Sequence, residues 1–380
     1  NGAGVYFGLF PSEWDQPEMR TLAAMNRFLA RHSAYYQHTR SEARIALVWS
    51  DTTANFYAGS AAQLIDVARV PARSNVGNLE QEFWGLTEAL VRAHAPFDVM
   101  DDYTLEHAAL DRYRAIFLPN VACMSDSVAA RLRGYVERGG NLFTTFETSR
   151  SDAMGTPRPD FALAELMGVS ATGKVAGPRP WDYMAKQSPS PLLRRIPRQW
   201  IPSPTYYVQV QAAGAQVALR FTKPLAGSYE LPPQLSDDPA LTIQKTGKGT
   251  VVYCAGDLGN MIHAWHMPEP LILMENAVRT LAPVGIELEN VPSAVELVHR
   301  SQNGGRRHLF HFINFNGEMT RPIRQITPIR DARVTLPKDI DAKKIYALMR
   351  PQSLTPQQDS HGRTQFVIPL IEEYEVVVVE

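Results

Sequence analysis

The sequence predicts an α/β protein with a doubly wound parallel-sheet domain and a smaller antiparallel β-sandwich behind it. Between residues 45 and 281, short apolar runs alternate with amphipathic helical patterns, which is typical of a parallel sheet flanked by helices. From Val295 onward the apolar period changes to two and glycine-containing turns separate the runs, as in a sandwich. A single strand and helix precede both parts. A chain of 380 residues is long enough for two or three domains.

The N-terminal segment predicts one strand and one helix. Gly4–Gly8 is strand-like, a loop that contains Trp14 follows, and Pro17 begins the helix. One strand and one helix cannot form a domain alone, so we interpret residues 1–42 as the last βα unit of a (β/α)8 barrel. The sequence begins at Asn1 without a signal-peptide pattern, so we expect a piece of a longer polypeptide whose localisation cannot be read here.

The centre of the parallel-sheet domain is a βαβ unit. Ala115–Pro119 is an apolar strand, Ser125 is suited to cap the following helix, and Gly139-Gly140 is suited to end it. Asn141–Phe146 is the second strand, and we expect the crossover between the two strands to be right-handed. Upstream, the pattern predicts a strand, a polar loop, a helix and another strand, at Ile45–Ser50, Ser50–Thr53, Leu79–Ala95 and Phe97–Met100.

The parallel-sheet domain, residues 43–288, contains a proline-rich insertion at residues 174–240. Prolines are too frequent there for helices or central strands, so we predict only edge strands such as Tyr206–Val210 and Gln216–Phe221. Residues 289–380 form the predicted β-sandwich. The remaining predicted elements are the strand Gly249–Cys254, the helix Leu271–Leu281, and sandwich strands at Val295–His299, His308–Asn314, Ala332–Leu336, Ile345–Met349, Thr364–Ile368 and Glu375–Val379.

Composition and charge argue against several classes of function. The chain has 38 Lys and Arg against 39 Asp and Glu, without a long run of one sign, so we expect no nucleic-acid and no membrane partner. No apolar run reaches the roughly 20 residues that span a bilayer. Cys123 and Cys254 make neither a disulfide framework nor a metal set, and no phosphate-binding glycine loop follows a strand. We therefore expect neither a cofactor nor a metal.

Three segments carry a resemblance to a known family, namely Tyr113–Thr148, Ile45–Thr53 and Gly247–Asp257. They resemble the C-terminal region of glycoside hydrolases related to the family 42 β-galactosidases. In that family a catalytic (β/α)8 barrel is followed by the β-galactosidase trimerisation domain, which has the flavodoxin-like fold of class I glutamine amidotransferases, and then by a β-sandwich. The resemblance implies that this chain is a remnant of the barrel followed by both C-terminal domains.

The resemblance also implies a function. The parent enzyme would hydrolyse a glycosidic bond with two carboxyl groups, and both groups would belong to barrel strands outside this chain. The chain itself would be non-catalytic, and it would supply the contacts of a homo-oligomer, with a trimer as one form, and a wall of the cleft that binds the carbohydrate substrate. Sugar, linkage and stereochemical outcome cannot be read from the residues present.

Two alternative functions stay open at this point. One is a carbohydrate-binding or assembly module without hydrolase activity, which predicts an exposed row of aromatic residues on the sandwich. The other is a degenerate amidotransferase-like amidohydrolase, which requires a contact such as Cys254 with His266. Active amidotransferases place a cysteine in a glycine-flanked elbow after the strand that corresponds to Asn141–Phe146. Here that strand runs into Phe146-Glu147-Thr148 without a thiol, so we predict no catalytic residue in this chain.

The residues proposed to contact carbohydrate are Glu13, Trp14, His263, Trp265 and His266. The first two follow the strand of the barrel remnant, where an aromatic face suits a pyranose ring and packing under the barrel rim is the alternative. The other three lie in a predicted loop at the carboxyl edge of the sheet, where ligands bind in α/β folds. A packed interdomain loop is the alternative, and zinc would need a third ligand. Asp101-Asp102 is suited either to a cation or to capping a helix.

Overall fold

A computed structural model describes residues 18–57, 76–179, 182–225, 234–318, 323–340 and 342–380. The predicted strand Gly4–Gly8, Glu13 and Trp14 lie outside these residues. The chain divides into two compact units. One is Arg44–Val284, and the other combines the residues up to Ala43 with Gly285–Glu380. No helix within the described ranges has both the length and the apolar character needed to cross a bilayer.

The first described elements belong to the second of these units. They are helices α1 (Glu18–Arg31) and α2 (Ser33–Tyr36) and strand β1 (Arg40–Ser41). The Arg44–Val284 unit contains helices α3 (Asp51–Phe56), α4 (Leu79–Arg92), α5 (Asp102–His107), α6 (Asp126–Glu137), α7 (Ala164–Met167), α8 (Leu258–Trp265) and α9 (Pro268–Leu281). Its strands are β2 (Ile45–Val48), β3 (Phe97–Met100), β4 (Ala115–Leu118), β5 (Asn141–Thr145), β6 (Val169–Ala176), β7 (Tyr183–Lys186), β8 (Trp200–Pro202), β9 (Tyr207–Ala212), β10 (Gln216–Thr222), β11 (Leu235–Thr246) and β12 (Gly249–Cys254).

A nine-stranded sheet, in the order β3-β2-β4-β5-β12-β11-β10-β7-β8, is the centre of this unit. The strands from β3 to β12 are parallel, and the strands from β12 to β8 continue the sheet with antiparallel pairing. Parallel strands need helical crossovers that cover both faces, which explains why β2 and β4 are buried along their whole length.

The proline-rich insertion contributes more to this sheet than the sequence predicts. Strand β10 lies between β11 and β7, so it is not an edge strand, whereas β9 pairs with β6 in a separate two-stranded sheet. Pro239 lies within β11 opposite Arg220, where the register between β10 and β11 shifts. A proline is tolerated at such an irregularity because the hydrogen-bond ladder is already interrupted there.

Two segments that the sequence predicts as loops are helices. Ser50 caps α3, because its Oγ accepts a hydrogen bond from the Thr53 amide at 3.0 Å. The segment after β12 forms α8, which crosses α4 in backbone contact. A Cβ atom on Gly85 would lie 1.8 Å from the carbonyl oxygen of Gly259, so the two helices can approach this closely only with glycine at the crossing.

The second unit is a β-sandwich. Its further strands are β13 (Glu287–Glu289), β14 (Val295–Gln302), β15 (Arg307–Asn314), β16 (Ile329–Thr335), β17 (Ile345–Ala347), β18 (Gln352–Leu354), β19 (Gln357–Gln358), β20 (Thr364–Ile371) and β21 (Tyr374–Val379). They form a six-stranded sheet, β1-β14-β15-β21-β17-β18, and a four-stranded sheet, β13-β16-β20-β19. Inward side chains of both sheets make one apolar core.

Helices α1 and α2 cover the other face of the six-stranded sheet. Phe28, Tyr35 and Tyr36 pack against the buried cluster formed by Leu309, Leu348, Val376 and Val378. The Gln302 side chain donates hydrogen bonds to the carbonyl oxygens of Ala34 and Gln37, at 3.0 Å and 2.5 Å. These contacts explain why residues 18–43 belong to the same compact unit as the sandwich.

Candidate functional site

A sharp turn follows the carboxyl end of β5, at the position where active amidotransferases have their cysteine elbow. The chain turns sharply at Phe146, which has a φ of +52° and is fully buried. Positive φ is uncommon for a residue other than glycine. The Phe146 amide donates to the carbonyl of Cys254 at 2.8 Å, and the Tyr253 hydroxyl donates to the carbonyl of Phe146 at 2.9 Å. The backbone of this turn is therefore fixed by hydrogen bonds on both sides, and an aromatic ring fills its apex.

Polar side chains close over this elbow. The Tyr57 hydroxyl donates to the Glu147 carboxylate, and the Glu147 amide donates to Oδ1 of Asn120 at 3.2 Å. A Cβ atom on Gly77 would lie 2.4 Å from the Tyr57 hydroxyl oxygen and 2.8 Å from Cε1 of Phe146, which shows how tightly the segment is packed. Burial raises the pKa values of both the Glu147 carboxyl and the Tyr57 hydroxyl.

A second buried group lies beside the carboxyl end of β5. Glu82, on α4, is fully buried, and its Oε2 accepts hydrogen bonds from Oγ1 of Thr145 at 2.9 Å and from the Gly259 amide at 3.1 Å. Burial, with a smaller effect from the nearby Asp257 carboxylate, raises the pKa of Glu82 to about 8. Burial also raises the pKa of Asp257 to about 6. The Asp257 carboxylate thus disfavours ionisation of Glu82, and both carboxyl groups are buried.

These carboxyl groups are not placed for glycoside hydrolysis. A glycosidase needs a substrate between its two carboxyl groups, whereas Glu82 has no exposed surface and Asp257 only 2 %. The hydrogen-bonding groups of Asp257 are also occupied, since it accepts from the Tyr206 amide at 3.0 Å and from Nδ2 of Asn260 at 2.8 Å. The pair therefore positions α4, α8 and the end of the sheet.

Neither cysteine is an activated nucleophile. Burial raises the pKa of the Cys123 thiol to about 11 and that of the Cys254 thiol to about 12, so both are protonated at neutral pH. Both side chains are buried, and no hydrogen bond joins either thiol to a histidine within the described ranges. His266 instead places Nδ1 2.9 Å from Oε1 of Glu88.

The structure brings three of the predicted carbohydrate-contacting residues together at the end of one helix. His263 and Trp265 lie on α8 rather than in a loop, and His266, with a φ of +49°, ends that helix. All three are exposed. They lie at the opposite end of α8 from the Gly259 amide that binds Glu82, so the two groups form separate sites. In the parts of the chain that the structure covers, no cluster of three metal-ligating side chains is present.

Asp101 and Asp102 have structural partners. Oδ1 of Asp101 accepts from the Thr104 amide at 2.7 Å and so caps α5, as one of the two interpretations predicts. Oδ2 of Asp102 accepts from the Thr52 amide at 2.7 Å. An open cavity of about 590 Å³ lies next to this cap, and it is lined by Trp49, Glu80, Phe83, Trp84, Val99, Asp101 and Thr104.

The residues of the buried site are not predicted from the sequence, although the sequence contains one signal for them. Glu82 stands three residues after Leu79 and four before Leu86, so it lies within the apolar stripe of α4. A carboxyl group on the apolar face of a helix needs a buried partner. That partner comes from α8, which the sequence does not connect to α4, and Glu147 and Tyr57 likewise meet only in three dimensions.

Comparison with known proteins matches residues 43–267 to the family described as "Beta-galactosidase trimerisation domain". Among curated proteins, "Beta-galactosidase BglY" of Alicyclobacillus acidocaldarius is 28 % identical over 232 residues, which is 57 % of this chain and 29 % of that protein.

Solved structures show the same fold. An α-L-fucosidase, isoenzyme 2, from Paenibacillus thiaminolyticus matches 93 % of this chain with a TM-score of 0.66 and 16 % identity. A β-galactosidase from Bacillus circulans sp. alkalophilus matches 96 % with a TM-score of 0.65 and 17 % identity. This chain spans 50 % and 46 % of those two proteins. About half of each of those proteins therefore has no counterpart in this chain.

Proposed function

The chain belongs to the β-galactosidase trimerisation domain family, and from this premise we propose that it is the non-catalytic C-terminal part of a glycoside hydrolase. The observation that carries the proposal is the closed carboxyl edge of the parallel sheet. Phe146 fills the elbow, and Glu82 and Asp257 are shut away from any substrate. Hydrolysis of the glycosidic bond would then belong to a barrel in the remainder of the parent protein.

The proposed role of this chain is to hold copies of the parent enzyme together and to supply one wall of its cleft. The description of the matched family supports oligomer formation. Trp265, with His263 and His266 beside it, is an exposed aromatic residue of the kind that stacks on a sugar ring. Glu13 and Trp14 are proposed, independently of these three residues, to contact the carbohydrate substrate. Residues 1–42 would complete the barrel, 43–288 would form the trimerisation-type domain, and 289–380 the sandwich.

The finer description of the fold is part of the same proposal. The parallel portion of the sheet has the order β3-β2-β4-β5-β12. The second of these strands along the chain, β3, therefore lies at the edge, and the first, β2, lies beside it. This is the strand order of flavodoxin-like folds. The positive φ of Phe146, at the end of the fourth strand, supports descent from an amidotransferase-like elbow.

The experiment compares this 380-residue chain with a longer parent protein that includes the upstream region. Each is assayed for release of nitrophenol from nitrophenyl glycosides, including a β-galactoside and an α-L-fucoside. We expect turnover by the parent and none by the chain. Hydrolysis by the chain alone would overturn the proposal. In the parent, Trp265→Ala should raise KM, whereas Met154→Ala, a change at another exposed apolar side chain of this unit, should not.

The two alternative functions gain no specific support. Within the described part of the sandwich, Phe315 is the large aromatic side chain with the most exposure, and no aromatic row accompanies it. In the described part of the Arg44–Val284 unit, the contact of Cys254 with His266 that an amidohydrolase would need is not formed, since His266 pairs with Glu88 and the Cys254 thiol is buried.

A further inference from the structure

The segments at the two edges of the nine-stranded sheet differ in their charged residues. At the β3 edge, residues 97–106 contain the acids Asp98, Asp101, Asp102 and Glu106 and no Lys or Arg, and of these Asp98 pairs with Arg112 at 3.1 Å. At the β8 edge, residues 182–202 contain a single acid, Asp182, against the bases Lys186, Arg194, Arg195 and Arg198. We call these segments the acidic edge and the basic edge.

The acidic edge is also an apolar surface. Val99 is 59 % exposed, Trp84 48 % and Tyr103 72 %, although all three are large apolar or aromatic side chains. Trp84 and Val99 line the cavity described above, together with Glu80 and Asp101. An exposed apolar surface that also carries charged groups is typical of a site that binds another protein. Because β3 pairs only with β2 among the described strands, its outer backbone groups are also open to a partner.

The basic edge presents charges that have no partner in this chain as described. Arg194 and Arg198 are exposed, and neither side chain makes an ion pair among the described residues. The segment that carries them is held in place, because Nδ2 of Asn276 donates to the carbonyls of Leu192 at 3.0 Å and Arg194 at 2.6 Å. Arg195 is partly neutralised by Glu275. The free guanidinium groups are therefore presented from a fixed backbone.

We propose that the acidic edge of one copy of this chain binds the basic edge of the next copy. This inference depends on the homo-oligomer proposed above, and it identifies the two surfaces through which the copies would bind each other. A ring of three copies uses head-to-tail contacts, which require two different and complementary patches on each subunit. Pairing two acidic edges about a two-fold axis would instead oppose like charges. Trp84 and Val99 would anchor the contact, and the charges would select the partner edge.

The experiment measures the mass of the 380-residue chain by sedimentation velocity over a range of protein concentrations. Val99→Arg disrupts the acidic edge, and the double change Arg194→Glu with Arg198→Glu disrupts the basic edge. Both should raise the concentration at which half of the oligomer dissociates by at least about tenfold, which corresponds to the loss of one anchoring contact. The matched controls are Met154→Arg and Lys248→Glu, which change exposed residues away from both edges and should leave that concentration unchanged.

Mixing the two disrupted variants then tests the head-to-tail arrangement. The Val99→Arg variant keeps its basic edge, and the double variant keeps its acidic edge. A mixture of the two should therefore form dimers and no larger oligomer. Variants that stay monomeric when mixed, although each keeps its thermal unfolding transition, would overturn the pairing of these two edges. Edge variants that assemble like the unmodified chain would overturn the surface while leaving the oligomer in place. An unmodified chain that is monomeric would overturn the oligomer itself.

Discussion

Replacing Glu82 by Gln should remove most of the pH dependence of the stability of the Arg44–Val284 unit. The Glu82 carboxyl has a pKa of about 8 in the folded chain against 4.5 for the ordinary side chain. Between these values the unfolded chain has released its proton while the folded chain keeps it. The folded state therefore binds more protons, and the free energy of unfolding falls as pH rises through this window and levels off above it.

The size of the effect follows from the pKa. At about 1.4 kcal/mol for each pH unit, a rise from 4.5 to about 8 corresponds to a loss of roughly 5 kcal/mol between those pH values. Asp257, whose pKa is raised from 3.8 to about 6, adds a loss of the same sign in its own, more acidic window. This loss is a large share of the free energy of unfolding of a typical domain. Alkaline pH should therefore weaken the contact between α4 and α8.

The assay is urea unfolding of the chain at several pH values from 5 to 9, followed by tryptophan fluorescence. Of the six tryptophans, all except Trp14 lie within residues 44–284, so the signal reports mainly on that unit. Glu82→Gln should be within about 1–2 kcal/mol of the unmodified chain at pH 5, because the amide replaces a neutral acid of the same shape. Glu80→Gln, an exposed change on the same helix, is the control and should leave the slope intact. Equal slopes for Glu82→Gln and the unmodified chain would refute the reasoning.

Three further predictions concern the same unit. Gly85→Ala should destabilise the unit by roughly 1–3 kcal/mol or more, because the new Cβ would lie 1.8 Å from the Gly259 carbonyl oxygen. The control Gly134→Ala, in the interior of α6, should be neutral or stabilise the unit by up to about 1 kcal/mol. Urea unfolding measures both changes. Cys123 and Cys254 should not react with a thiol reagent at pH 8 until the chain is unfolded, and rapid labelling of the folded chain would contradict their burial. Phe146→Ala should cost about 3–5 kcal/mol through the cavity it leaves, and a cost below about 1 kcal/mol would show that the ring is not part of the core.

The sequence predicts best where the signals are local. The helix from Asp126 to Glu137 begins where expected, since Oγ of Ser125 accepts from the Val128 amide at 3.2 Å, and it is followed by Gly139 with a φ of +113°. The apolar strands on both sides of it also lie where the pattern puts them. Capping and burial on both faces act within a few residues, so they are visible without knowledge of the fold.

The sequence predicts poorly where partners come from distant segments. The sequence predicts a loop where α8 forms, because the packing of α8 against α4 depends on the approach of Gly259 to Gly85, two residues far apart in the chain. The frequent prolines predict no central strands in the antiparallel extension of the sheet, yet Pro239 lies within β11 because it falls at a register shift. The burial of the Glu82 carboxyl group is not predicted for the same reason, since its partners come from β5 and α8.

The turn at Phe146 combines an unfavourable backbone conformation with a fully buried side chain. Holding a non-glycine residue at a φ of +52° costs on the order of 1–3 kcal/mol, a cost that active sites sustain for the sake of a reaction. Here the cost is offset by packing, because the Phe146 ring is fully buried and its amide and carbonyl are both hydrogen-bonded. Burial of a phenylalanine side chain contributes about 1.5–3 kcal/mol, which is enough to balance the strain. The turn therefore needs no reaction to explain its presence, because the large apolar side chain at its apex is part of the buried core of the Arg44–Val284 unit.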